Sequence, residues 1–231
     1  PITSADLPRI SQFGAAIGGL TYRIESFDNA VTVDDASLVN GTLLTLVSPL
    51  QSRVDAPLDV VSLDVFGPAL LRADVTSSAD QTYHGTVIFE NDRTLSGATV
   101  RFLDTADALV AFGAQNPEGA GPTNLVINGN LDLQATLGAI NGLQSLIVNG
   151  NSRLGGGLVR AAGDERFNGN VVLGANTELV SFDGGLSGVI RFGGTVDGGF
   201  DLAATTTPEG LIAFAGDVGV GSALRDITLS T

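Results

Sequence analysis

The chain has 231 residues and a net charge of −14, from 25 acidic residues against 11 basic ones, all of them Arg. With 43% hydrophobic residues it can build a sizeable core, while its acidity excludes a basic face for nucleic-acid phosphates and disfavours an anionic membrane surface. Cys is absent, which excludes disulfides, thiolate metal sites and a cysteine nucleophile.

Residues 1–20, PITSADLPRISQFGAAIGGL, place Ile2, Leu7, Ile10 and Phe13 among Pro and Gly. They read as an N-terminal cap over the open end of a stack, or as a segment that docks on a neighbouring molecule. From Thr21 to Thr231 short runs rich in Val, Ile, Leu, Phe and Thr alternate with turn signals, as half-buried strands do. TYRIESF (21–27), LLTLV (43–47), VVSLDVF (60–66), ATVRFL (98–103), NLVIN (124–128), GVIRF (188–192) and DITLS (226–230) are examples. Asn-Gly recurs at 40–41, 128–129, 141–142, 149–150 and 168–169, and both residues tolerate left-handed backbone, so these mark corners. Residues 103–124 read as an insertion; 105–115 and 131–142 both read as strand and turn, with one short helical insertion over 105–115 as the alternative. No apolar run reaches the ~18 residues of a membrane span.

The chain also echoes itself. DQTYHGTVIF (80–89) returns as DERFNGNVVL (164–173), so that Asp80, Tyr83, Gly85, Val87 and Phe89 match Asp164, Phe167, Gly169, Val171 and Leu173 at an offset of 84. SLDVFG (62–67) returns as SLIVNG (145–150), SGATVRF (96–102) as SGVIRF (187–192), and GAINGLQSLIV (138–148) as GVGSALRDITL (219–229). A shorter period lies inside, because LVINGN (125–130) and LIVNGN (146–151) are 21 residues apart. Such a period marks an all-β coil in which each turn stacks on the last. The expected architecture is a right-handed parallel β-helix, or β-solenoid, of ten or eleven rungs of roughly 21 residues. The 84-residue echo reads as four rungs, and strands ~4.8 Å apart make a rod on the order of 50 Å long.

The stretch DQTYHGTVIFENDRTL, followed by VIRFGGTV and AFAGDVGVGSALRDITL, resembles the repeats of very large secreted bacterial proteins of the filamentous-haemagglutinin and autotransporter-adhesin type. Those repeats read GDQTYNGAVTLGADTTL, then VTFNGTV, then TTFNGAVGGTTALASLTV. The resemblance covers residues 58–231 and departs at 103–124. It implies a right-handed parallel β-helix on a cell surface or in an extracellular fibre, and it carries over no catalytic residues.

The chemistry-bearing residues are few. His84, the one His, matches Asn168 in the echo; a position that takes His or Asn before Gly is a corner, not a ligand, and one His cannot form a His-based metal cluster. With no Lys there is no Walker loop and no Schiff-base lysine. GGG (155–157) and GGTVDGGFD (193–201) lack the strand–GxGxxG–helix context and read as tight turns. Among the carboxylates, Asp34/Asp35, Asp104/Asp107 and Glu90/Asp92 form local pairs near turns. They read first as a solvated acidic face. Calcium ligation is the next reading for Asp34, Asp35, Asp104 and Asp107, and calcium is the one cofactor these groups could take. Arg101 and Arg191 hold matching places and are expected to point outward, toward an Asp on the adjacent rung or toward an adjoining molecule.

These features lead to the expectation of a non-enzymatic extracellular structural module, the subunit of a surface fibre or an adhesin stalk. It would assemble end to end by strand addition, with Ile2, Leu7, Ile10, Phe13, Ile227 and Leu229 as the self-assembly residues. Its partners would be copies of itself, and a host surface or polysaccharide. The alternative is a carbohydrate-active β-helix, a polysaccharide lyase or glycosidase working through paired acids, for which two Tyr and no Trp make a poor sugar platform.

Overall fold

The computed structural model describes residues 20–35, 41–109, 123–140, 142–181 and 188–231. Among them there is no helix; every element is a strand, and every strand pair is parallel. The chain winds as a β-solenoid of about nine turns, with three strand faces per turn.

Face A stacks Thr21–Glu25, Leu43–Val47, Ser62–Phe66, Gln81–Tyr83, the second halves of Arg93–Phe102 and Asn124–Leu133, then Ser152–Leu154, Val171–Leu173 and Val196–Asp197. Face B follows each of these in the chain and runs from Val31–Val33 through Ser52–Val54, Ala69–Leu71, Val87–Phe89 and Ala106–Ala108. Single parallel bridges through Leu137 join it to Leu158–Ala161, Thr177–Ser181, Asp201–Thr206 and Asp226–Ser230. Face C completes the turn with Leu58–Val60, Val75–Ser77, the first halves of the two long strands, then Ser145–Val148, Glu165–Phe167, Val189–Phe192 and Leu211–Phe214. Arg93–Phe102 bends from face C to face A where the register shifts between Ser96 and Thr99.

Alternation sends every second side chain inward. The core is a set of axial columns of Val, Leu, Ile and Phe, with Tyr83, Phe89, Phe102, Phe167 and Phe192 fully buried. Phe167, Phe192 and Phe214 stack along face C with ring centroids 5.7 and 4.8 Å apart. Offset stacks of this kind add to the burial of the rings themselves.

The described residues make about nine rungs rather than ten or eleven, because the rungs are not uniform. Register partners lie 18 residues apart at Leu63↔Gln81, 21 at Leu131↔Ser152, 25 at Val171↔Val196 and 31 at Thr99↔Asn130. The extra residues leave at corners, so the faces keep their register. The longest rung holds the expected insertion, but Ala106–Ala108 is a face B strand paired with Val87–Phe89. The strand-and-turn reading of 105–115 therefore holds at its start, where the alternative helix fails, and residues 110–122 lie outside the described set.

The echo also needs correction. Gln81–Tyr83 is on face A, whereas its counterpart Glu165–Phe167 is on face C. Val87–Phe89 on face B matches Val171–Leu173 on face A, and Ser145–Val148 on face C matches strand Asp226–Ser230 on face B. The 84-residue echo is thus three and two-thirds turns, not four. Local geometry is kept throughout: Gly138 and Gly219, matched in sequence, have φ of 72° and 74° and open the same kind of wide turn, a conformation that favours Gly.

Candidate functional site

The corner between faces C and A carries three copies of Asn-Gly-Asn, at 128–130, 149–151 and 168–170. The glycine is required by close approach. A Cβ on Gly150 would overlap the Gly129 carbonyl, one on Gly169 the Gly150 carbonyl, and one on Gly216 the Gly194 carbonyl. With the backbones in contact, the flanking asparagines form two ladders. In the first, Asn168 Nδ2 donates to Asn149 Oδ1 and Asn149 Nδ2 to Asn128 Oδ1, both at 2.7 Å, and Asn128 Nδ2 reaches Ser96 Oγ at 3.3 Å. In the second, each Oδ1 accepts the backbone N–H of the next rung: Asn130 from Asn151 at 2.9 Å, Asn151 from Asn170 at 2.9 Å and Asn170 from Thr195 at 3.0 Å.

Beside the second ladder runs the outward column of face A, where Thr82, Arg101, Asp132, Arg153 and Val172 are successive register partners. Arg101 Nε donates to Asp132 Oδ2 at 2.9 Å, Arg153 to Asp132 Oδ1 at 3.3 Å, and Gln134 Nε2 to Asp132 Oδ2 at 3.1 Å. Partial burial pushes the Asp132 carboxyl up, but these hydrogen bonds outweigh it and hold the group below the usual carboxylate range. Column and ladder enclose an open groove of about 470 Å³, lined also by Thr99 and Val172. Arg101 thus pairs with an Asp on the adjacent rung as its sequence position suggested.

The calcium candidates do not converge. Asp34 and Asp35 lie together at the exposed end of the Val31–Val33 strand. Asp104 is exposed at a corner and accepts from the Thr105 N–H at 2.7 Å. Asp107 is buried in strand Ala106–Ala108 and accepts from the Ile140 N–H at 3.0 Å. Among the described residues no group of three or more His, Asp or Glu side chains could hold a metal ion. His84 stacks on Phe66 with centroids 4.0 Å apart and places Nε2 3.4 Å from Asp64 Oδ1. Ile2, Leu7, Ile10 and Phe13 lie outside the described residues.

One titratable group escaped the sequence reading. Glu165 is fully buried on the inner side of face C. Its Oε1 accepts from the Ala161 N–H at 3.0 Å, and Oε2 makes no hydrogen bond of good geometry among the described residues. Burial pushes this carboxyl well above the usual range, against the weaker opposing pull of the Ala161 and Val180 N–H groups. Gln81, its echo counterpart, is also fully buried; Gln81 Nε2 donates to Ser96 O at 2.8 Å, and Gln81 Oε1 accepts from Tyr83 OH at 3.1 Å. A protonated Glu165 presents the same donor-plus-acceptor pair as an amide. The folded state therefore holds a proton that the unfolded state releases. Its stability is fullest below the ordinary Glu pKa of about 4.3 and declines as pH rises above it, by up to about 1.4 kcal/mol per pH unit. Thermal melts between about pH 5 and pH 8 should show Glu165→Gln flattening that decline and melting higher than the parent at neutral pH. A variant no more stable than the parent at neutral pH would contradict the assignment.

No family model matches the chain, and neither a curated protein nor a solved structure matches it.

Proposed function

We propose that the chain is a non-enzymatic structural module of an extracellular fibre or surface stalk, and that copies of it stack end to end. The observation that carries this reading is the parallel stack itself, whose core columns run through the described rungs. Ile227 and Leu229 are register partners of the buried Leu202 and Ala204, so they continue core columns. They are 42% and 49% exposed, an apolar continuation of the columns that supports the reading. Asp226–Ser230 is paired along one edge only.

A second copy suits that edge. The face that ends in Asp226–Ser230 begins with Val31–Val33, which among the described strands is also paired along one edge only and runs parallel to those that follow it. The lower edge of one copy and the upper edge of the next can therefore form one more parallel ladder. Such a head-to-tail contact does not close on itself and propagates as a filament. The resemblance of its repeats to haemagglutinin-type repeats and the Cys-free composition support a surface or extracellular setting for it.

Negative-stain microscopy and analytical ultracentrifugation test this. Concentrated wild-type protein should form rods of end-joined subunits, and Ile227→Lys with Leu229→Lys should leave folded single particles. Monomeric wild-type protein at high concentration, or rods that persist in the double variant, would overturn the reading.

A further inference from the structure

The groove between the second asparagine ladder and the Arg101–Asp132–Arg153 column has no part in end-to-end stacking, since it lies on the side of the rod. Its chemistry is one-sided. The Oδ1 atoms of Asn130, Asn151 and Asn170 are each held by a backbone N–H, which fixes the orientation of all three amides. Their Nδ2 groups donate to no protein atom among the described residues, although all three side chains are exposed. The first ladder differs, because there each amide donates to its neighbour.

The groove thus displays three oriented amide donors in line, one per rung, with two guanidinium groups alongside. Asp132, its one carboxylate, is occupied by Arg101, Arg153 and Gln134. The local charge is positive on a chain whose net charge is −14. A lining of donors calls for a ligand rich in acceptors, and surplus guanidinium calls for carboxylate or sulfate.

Spacing selects the kind of polymer. The donors repeat along the rod axis at the rung spacing, ~4.8 Å, whereas an extended peptide presents same-side carbonyls every ~6.8 Å, two residue rises, and falls out of step within two rungs. A pyranose unit in an extended chain is close to one rung in length. Recognition through amide and guanidinium donors also needs no aromatic platform, which the chain, with no Trp, does not offer here. We infer that this groove binds an acidic polysaccharide laid parallel to the rod axis, its carboxylate and hydroxyl oxygens accepting from Asn130, Asn151, Asn170, Arg101 and Arg153.

The test is calorimetric titration of the full chain with polygalacturonate and, separately, with a neutral glucan. The buffer should be of physiological ionic strength, where the Debye length of about 8 Å screens the distant acidic surface. Asn151→Asp is the decisive variant: it keeps the oxygen that accepts the Asn170 N–H and replaces only the outward donor with a carboxylate oxygen. Polygalacturonate should bind the wild type, the neutral glucan should not, and Asn151→Asp should weaken binding at least tenfold with an unchanged melting temperature. Absence of polygalacturonate binding, equal binding of the glucan, or undiminished binding by Asn151→Asp would each overturn the assignment. Ile227→Lys with Leu229→Lys should bind like the wild type, which separates this groove from the assembly edge.

Discussion

Phe192→Ala should lower stability by about 4 kcal/mol, toward the upper end of the cost of emptying a buried aromatic site. Phe192 is fully buried between Phe167 and Phe214, 5.7 and 4.8 Å away. The hole it leaves cannot collapse along the axis, because the strands above and below are held apart by backbone hydrogen bonds at ~4.8 Å. Both stacking contacts vanish together with the buried area. Each rung contacts only its neighbours, so the damage should stay local. Urea denaturation measures the loss, and hydrogen exchange should place it in the rungs that contain Phe167 and Phe214 while strands such as Leu43–Val47 keep their protection. A loss below about 1 kcal/mol would mean that the core behaves as a repackable fluid rather than a close-packed column.

Gly150→Ala should cost about 3 kcal/mol, the upper range for forcing atoms into a filled site, although the corner is at the surface. The added Cβ has nowhere to go: it meets the Gly129 carbonyl above, and that carbonyl accepts the Gly150 N–H at 2.9 Å. Relief requires separating two rungs, which also pulls at both asparagine ladders. Gly199→Ala is the control, because nothing lies within 4 Å of a Cβ there; it should be neutral or slightly stabilising through the entropy of the unfolded chain. Comparing the two melting temperatures isolates close approach from any general intolerance of side chains at corners. Similar values for the two variants would refute the glycine column as a structural requirement.

The strands and corners were legible in the sequence because alternation and Asn-Gly are local signals. Turn length was not. A uniform 21-residue period is broken by the 25- and 31-residue rungs, and extra residues at a corner leave the inward pattern of the flanking strands unchanged. Nor could the phase of the echo be read, since the three faces use the same alternation and nothing in a strand says which face it joins. Asp104 and Asp107 looked alike as neighbours in a turn, but one points to solvent and the other is covered where the Ile140 N–H reaches it. Glu165 was missed. A signal was present, because Glu165 is two residues from Phe167 in a strand and so shares its inward side, and it matches Gln81 in the echo. The Asn-Gly-Asn triplets were visible too, but the order of residues does not reveal which of the two amides in each triplet is spent on its own ladder.

The phase of the echo bears on what the rod shows to its surroundings. Moving by one echo is a screw operation: an advance of about 18 Å along the axis, at ~4.8 Å per turn, with a rotation of roughly two-thirds of a circle. Matched outward residues such as Arg101 and Arg191 therefore lie on different faces and look out in different directions. Lengthening such a rod by copying its own sequence would distribute each surface feature around the circumference rather than extend it as a stripe. The donor-lined groove, made by three adjacent rungs of one face, would then recur on a helical path, and a fibre of many units would present it to ligands approaching from every side.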